Sequence, residues 1–182
     1  MPATPMQSEQ LLNASMDITI VPLSESFCEC VAALEVVCFG PDAWPPEAFH
    51  VLRQTYSESA DFRGQIWVAV NERQQEAVVG FVALEVTSLG EAELTNLAVA
   101  PAYRRRGIGR LLVSFVIGVC QQVGVELLWL RVRASNRQAV RFYEACGFVT
   151  RGEFRDYYDD PREDALILAI EVPEEADAEE VE

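Results

Sequence analysis

Apolar residues recur in two rhythms between residues 17 and 172. Alternation marks residues 17–23, DITIVPL, and residues 92–99, AELTNLAV. In the second stretch Leu94, Asn96 and Ala98 fall on one face, and Glu93, Thr95, Leu97 and Val99 on the other. A period of two is that of a strand. Spacings of three and four align Phe27, Val31, Leu34 and Cys38 within residues 25–39. The same spacing aligns Ile108, Leu111, Leu112, Phe115 and Val119 within residues 107–123. Both stretches predict amphipathic helices.

Punctuation sets the limits of these elements. Ser24 is expected to cap the first helix. The breaker PDAWPP ends it, and Pro45 and Pro46 suit the first turn of a second helix over 45–56. Residues 65–70 and 77–89 flank the polar turn NERQQE, as in a hairpin. Three further strands are predicted over 125–133, 148–158 and 164–172. Residues 135–147, SNRQAVRFYEACG, predict a helix with Ser135 or Asn136 at its start and Gly147 as its left-handed stop. The order β-α-α-β-β-β-α-β-α-β-β predicts one mixed α/β domain over 17–172. Residues 1–16 are expected to form a flexible lead-in. Residues 173–182, PEEADAEEVE, lack apolar periodicity and are expected to form a disordered acidic tail.

Composition narrows the function. Half of the 182 residues are hydrophobic, as in a globular chain with a full core. The formal charge is −15 and there is no lysine, which argues against nucleic acid as partner. No apolar run approaches the ~20 residues of a membrane span, and the first residues lack the pattern of a secretory signal. Five cysteines without a CxxC pair, and a single histidine, predict reduced thiols and no metal site. A cytoplasmic protein, monomeric or weakly dimeric, is the expectation.

One cluster opposes the acidic background. Arg104, Arg105 and Arg106 are consecutive and run into Gly107, Ile108 and Gly109, between a strand and a helix. The leading N–H groups of a helix have no internal acceptor, and its dipole favours an anion there. Glycines admit close approach of that backbone, and guanidinium groups add forked donors. The loop therefore suits a polyphosphate. It is not a Walker loop, because Gly109 is followed by Arg110 and Leu111. It is not a dinucleotide fingerprint, because Leu112 replaces the third glycine.

Arg104–Gly109 resembles the (Arg/Gln)-x-x-Gly-x-(Gly/Ala) signature of the GCN5-related N-acetyltransferases, or GNAT superfamily. LTNLAV before it, RVRASNRQAVRFYEACGF after it, and RDYYDDPREDALILAI beyond extend the likeness over about residues 17–172. The likeness is greatest to the bacterial ribosomal-protein-alanine N-acetyltransferases. It implies a mixed, mostly antiparallel sheet of about seven strands flanked by four helices. It implies acetyl-coenzyme A as co-substrate, with its diphosphate on residues 104–109 and its pantetheine arm along the backbone of Leu97, Ala98 and Val99. Asn136 and Tyr143 match positions that touch the cofactor. Seven apart on one helix, they share a face within about 20° and lie about 10 Å apart along its axis.

The reaction implied is direct attack of an amine on the thioester, with Tyr143 protonating the departing thiolate. The implied acceptor is a protein N-terminus, as in the ribosomal enzymes. The alternatives are a small amine or amino acid, or an acyl-coenzyme A-binding protein without turnover. Such enzymes usually carry a glutamate, thought to be the base, where this chain has Arg131. Arginine offers no acceptor. Glu93 is expected to replace that base, with Glu91, Glu35 and Asp42 behind it; water is a further candidate. Arg131 either steers an acidic acceptor or pairs with an acidic residue of its own chain. Trp44 and Phe49 line the acceptor pocket or belong to the core. Cys120 and Cys146 are expected to be packing residues rather than acyl carriers.

Overall fold

The structure, a computed structural model, describes residues 17–58, 62–74, 77–88 and 90–173. The expected lead-in over 1–16 and the tail from 174 onward lie outside the described residues. The strands are β1 (Ile18–Pro22), β2 (Gly64–Asn71), β3 (Ala77–Ser88), β4 (Glu91–Val99), β5 (Leu127–Arg133), β6 (Val149–Asp159) and β7 (Arg162–Glu171). The α-helices are α1 (Cys28–Phe39), α2 (Pro46–Glu58), α3 (Ile108–Gln122) and α4 (Arg137–Ala145). Seven strands and four α-helices among the described residues match the expected mixed architecture.

The strands join in one sheet in the order β1-β2-β3-β4-β5-β7-β6. The pairs β1/β2, β2/β3, β5/β7 and β6/β7 are antiparallel, whereas β4/β5 is parallel. A parallel pair needs a long crossover, and α3 lies in the segment between β4 and β5. The β4/β5 ladder pairs Glu91, Ala92 and Glu93 with Leu127, Leu128 and Trp129.

By its contacts the chain divides into two compact units, Met1–Glu85 with Thr95–Ser114 and Val86–Leu94 with Phe115–Glu182. The first has a core built around Val31, Phe49, Ile66, Val68 and Phe81. The rings of Phe49 and Phe81 meet edge to face at 5.6 Å, a favoured aromatic geometry. Phe49 is fully buried there, so its place is in the core; Trp44 packs against it, with ring centroids 5.8 Å apart. In the second unit, Leu128, Leu130, Phe148, Leu168 and Ala169 are buried.

The expected Ser24 cap is not made. A 3-10 turn over Glu25–Phe27 precedes α1, and no side-chain bond caps it. The Ser24 carbonyl accepts from the Phe27 N–H, while its hydroxyl pairs with that of Ser26 at 2.7 Å. The α4 signals hold. Asn136 Oδ1 accepts from the Ala139 N–H at 3.1 Å, and Gly147 takes φ +97. No helix among the described residues is long and apolar enough to cross a membrane.

Candidate active site

The arginine–glycine loop is built on left-handed backbone. Arg105 has φ +62 and Gly107 φ +84, immediately before α3 begins at Ile108. Left-handed backbone costs a side-chain-bearing residue about 1 kcal/mol, and such strain gathers where a ligand is held. A Cβ at Gly107 would meet nothing within 4 Å, so its backbone angle, not space, calls for glycine. Arg104, Arg105, Arg106 and Gly107 are exposed, whereas Ile108 is buried and anchors the helix start.

The three arginines differ in their engagements. Arg104 donates from Nε to the Val99 carbonyl at 3.0 Å and from Nη2 to Cys38 Sγ at 3.5 Å. It braces the loop against the end of β4 and against α1. Arg106 lies over the ring of Tyr103, 5.4 Å from its centroid. Tyr103 in turn donates its hydroxyl to Gln74 Oε1.

Glycine also shapes the strand beside this loop. A Cβ on Gly80 of β3 would lie 2.8 Å from the Ala98 carbonyl oxygen and 3.3 Å from Leu112 Cδ1. Gly80 therefore lets Ala98 and α3 close up. Ala98 is buried, and Leu97 and Val99 are partly exposed.

Glu93 and Arg131 meet. Arg131 donates from Nε to Glu93 Oε1 and from Nη2 to Oε2, each at 2.8 Å. This is the forked pairing that guanidinium and carboxylate favour. Arg131 Nη1 also donates to the Tyr157 hydroxyl at 2.5 Å. The guanidinium lies 5.0 Å from the Tyr157 ring centroid and 5.4 Å from that of Trp129. Burial works against the Arg131 charge, but the Glu93 bonds and charge, with Tyr157 and Tyr158, outweigh it and raise its pKa. Of the two roles the sequence leaves open for Arg131, pairing within its own chain is the one observed.

Tyr157 and Trp129 are partners that the sequence reasoning missed. Tyr157 reaches Arg131 because β6 is irregular between Phe154 and Tyr158, with Asp156 at φ +52. The Asp156 N–H donates to Asp164 Oδ1, and Arg162 donates to its side chain, both at 2.8 Å. No residue-type pattern announces that bulge. Trp129 was findable, because it stands two positions before Arg131 on one strand face.

Tyr143 is buried on α4, edge-on to Phe142 and Phe148 at 5.1 and 5.6 Å. Burial, with the Cys146 charge behind it, raises the phenol well above its ordinary value of 10. Tyr143 is thus held protonated, the state a proton donor requires. The start of α4 is set by the Asn136 cap and by Glu163, whose Oε1 accepts from the Ser135 N–H at 2.5 Å. Those Ser135 bonds, ahead of Arg133, hold the Glu163 carboxyl below its usual range.

The remaining candidates sort by burial. Glu35 is 1% exposed; Oε1 accepts from the Trp44 N–H and from Asn96 Nδ2, each at 3.0 Å. Its Oε2 is buried without a partner, and burial raises its pKa despite those two bonds. Asn96 gave the sequence signal for this contact, as a polar residue on the apolar face of β4. Asp42 and Glu91 are exposed. Burial pushes the Cys120 thiol up to about 11, which deprives it of the thiolate an acyl carrier needs. Glu25, Cys28 and His50 bring ligand atoms within 4.8 Å of one another. Glu25 is already paired with Arg53 at 2.5 Å, and burial raises the Cys28 thiol, so the trio is poorly prepared for a cation.

Comparison with known proteins gives the family. Residues 29–148 match the model of the acetyltransferase (GNAT) family. The [ribosomal protein bS18]-alanine N-acetyltransferase of Escherichia coli is 37% identical over 135 residues, covering 70% of this chain and 90% of that protein. The corresponding protein of Haemophilus influenzae is 32% identical over 124 residues, covering 66% and 83%. Among solved structures, the ribosomal-protein-S18-alanine N-acetyltransferase of Escherichia coli superposes with a TM-score of 0.72 at 31% identity, over 88% of this chain and 97% of that one. Ard1 from Thermoplasma volcanium superposes with a TM-score of 0.74 at 26% identity, over 86% and 99%.

Proposed function

The chain belongs to the GNAT acetyltransferase family, and from that premise we propose that it acetylates the N-terminal α-amine of a ribosomal protein, in the cytoplasm, with acetyl-coenzyme A as donor. The observation that carries the donor is the loop Arg104–Gly109, with Arg105 and Gly107 left-handed ahead of α3. In this reading the amides of Gly107, Ile108 and Gly109, with Arg105 and Arg106, take the diphosphate. Arg104, tied to Val99 and Cys38, holds the loop in shape. The backbone of Leu97, Ala98 and Val99 takes the amides of the pantetheine arm, as a sheet edge takes an added strand. Asn136 and Tyr143 complete the donor contacts.

An α-amino group has a pKa near 8, so a useful fraction is neutral at pH 7. Held in line, it attacks the thioester carbonyl directly. Tyr143, kept protonated by burial, donates to the sulfur as the carbon–sulfur bond breaks. The ion pair changes what Glu93 offers. Both of its oxygens accept from Arg131, and a carboxylate bound by a guanidinium is a weaker base. We therefore assign proton removal to water and give Glu93 the task of holding Arg131. The acceptor proposal is supported by the ribosomal relatives at 32–37% identity.

Titration calorimetry with acetyl-coenzyme A, then thiol release with N-terminal peptides and small amines, tests the reading. Saturable binding and turnover on peptides are expected. Turnover confined to a small amine would replace the acceptor. Absence of binding would overturn the whole reading.

A further inference from the structure

Glu93 is the last residue of β4 in the parallel ladder, opposite Trp129. Arg131 stands two residues further along β5, on the face that Trp129 occupies. The ion pair therefore spans the two strands where their ladder ends. Its two members are unequally accessible: the Glu93 side chain is 8% exposed, that of Arg131 31%. What solvent reaches is the donor half of the pair.

A guanidinium carries five N–H donors. Among the described residues three of them are committed, two to Glu93 and one to Tyr157. Glu93 also offsets the charge, so the donors that remain suit a neutral carbonyl oxygen as well as an anion. Flanking contacts to Trp129 and Tyr157 restrain the group, which lowers the entropy lost on binding. Phe154 and Tyr157 stack at 6.0 Å and are 47% and 42% exposed, an apolar shoulder for a peptide side chain.

We infer that Arg131 is the acceptor-positioning residue, its remaining donors taking the carbonyl oxygen of the peptide bond next to the attacking amine. This rests on the N-terminal acetyltransferase reading. It makes the carbonyl a specificity element: peptides are accepted, and alkylamines and polyamines, which lack it, are refused. The position gives up an acceptor atom and gains a reader of the acceptor.

The test compares an alanine-initiated tetrapeptide amide with its analogue in which the first carbonyl is reduced to methylene. In the wild-type protein kcat/KM is expected to fall at least 30-fold on that reduction. Arg131→Leu alone takes the guanidinium away from the buried Glu93 carboxylate and threatens folding. The informative variants are therefore Arg131→Lys and the double substitution Glu93→Gln with Arg131→Leu. The double variant is expected to treat both peptides alike within about 3-fold, with an unchanged KM for acetyl-coenzyme A; Arg131→Lys is expected to lie between. A double variant that keeps the wild-type ratio, or a wild type without a ratio, overturns the inference while leaving the peptide acceptor standing. A wild type that turns over small amines but neither peptide overturns the acceptor reading, and the inference with it.

Discussion

Asn96 donates from Nδ2 to Oε1 of Glu35 at 3.0 Å, and both residues are buried. The contact ties α1 to β4, the strand that carries Leu97, Ala98 and Val99. Cys38, one helical turn further along α1, donates to the Val99 carbonyl. Together they key the second half of α1 onto the end of β4.

Glu35 gives a stability prediction with a definite sign. Its folded pKa is raised by burial, so the native state holds the proton after the unfolded chain has released it. Stability then falls as pH rises from the ordinary carboxylate range through the raised value, and levels above it. Glu35→Gln cannot ionise and keeps an acceptor for Asn96 and Trp44. It is expected to melt above the wild type at pH 8, with the gap closing toward pH 4. Thermal melts across that range decide it.

Tyr143→Phe keeps the ring against Phe142 and Phe148 and removes only the hydroxyl. Loss of a general acid costs on the order of 100-fold in rate. We expect that drop in kcat, with acetyl-coenzyme A affinity within about 3-fold by calorimetry. Because burial raises the phenol, ionisation of Tyr143 is expected to impose no fall in kcat up to pH 10.

From its sequence position alone, Glu93 is the replacement base, and Glu93→Gln would flatten the acid limb of the rate profile. The ion pair with Arg131 reverses that expectation. The acid limb should persist, set by the acceptor amine near pH 8. Losing the cation is the costlier change, because it takes the guanidinium away from a buried carboxylate: about 3 kcal/mol for Arg131→Leu, and less for Glu93→Gln. Urea denaturation and pH–rate profiles separate the two effects.

Gly80→Ala places a Cβ against the Ala98 carbonyl and Leu112. Overpacking of this kind costs about 1–3 kcal/mol. Since Ala98 lies in the strand assigned to the pantetheine arm, weaker acetyl-coenzyme A binding should accompany the lost stability. Chemical denaturation and calorimetry on the same variant test both.

The order of elements, the strand and helix faces, the Asn136 cap and the arginine–glycine loop were legible in the residues. Each rests on local physics: hydrophobic period, an unpaired N–H at a helix end, or a backbone angle that favours glycine. Residues distant in sequence were a different matter. Glu93 and Arg131 are 38 positions apart, and Glu35 and Asn96 61 apart. Tyr157 needed a bulge that no composition announces. Ser24 carried the residue type of a cap but spent its hydroxyl on Ser26. Sequence alone determined which groups the chain could bring to an acyl transfer. Tertiary structure decided which of them are already engaged, because a side chain's basicity and its spare donors depend on neighbours that only strand pairing and packing supply.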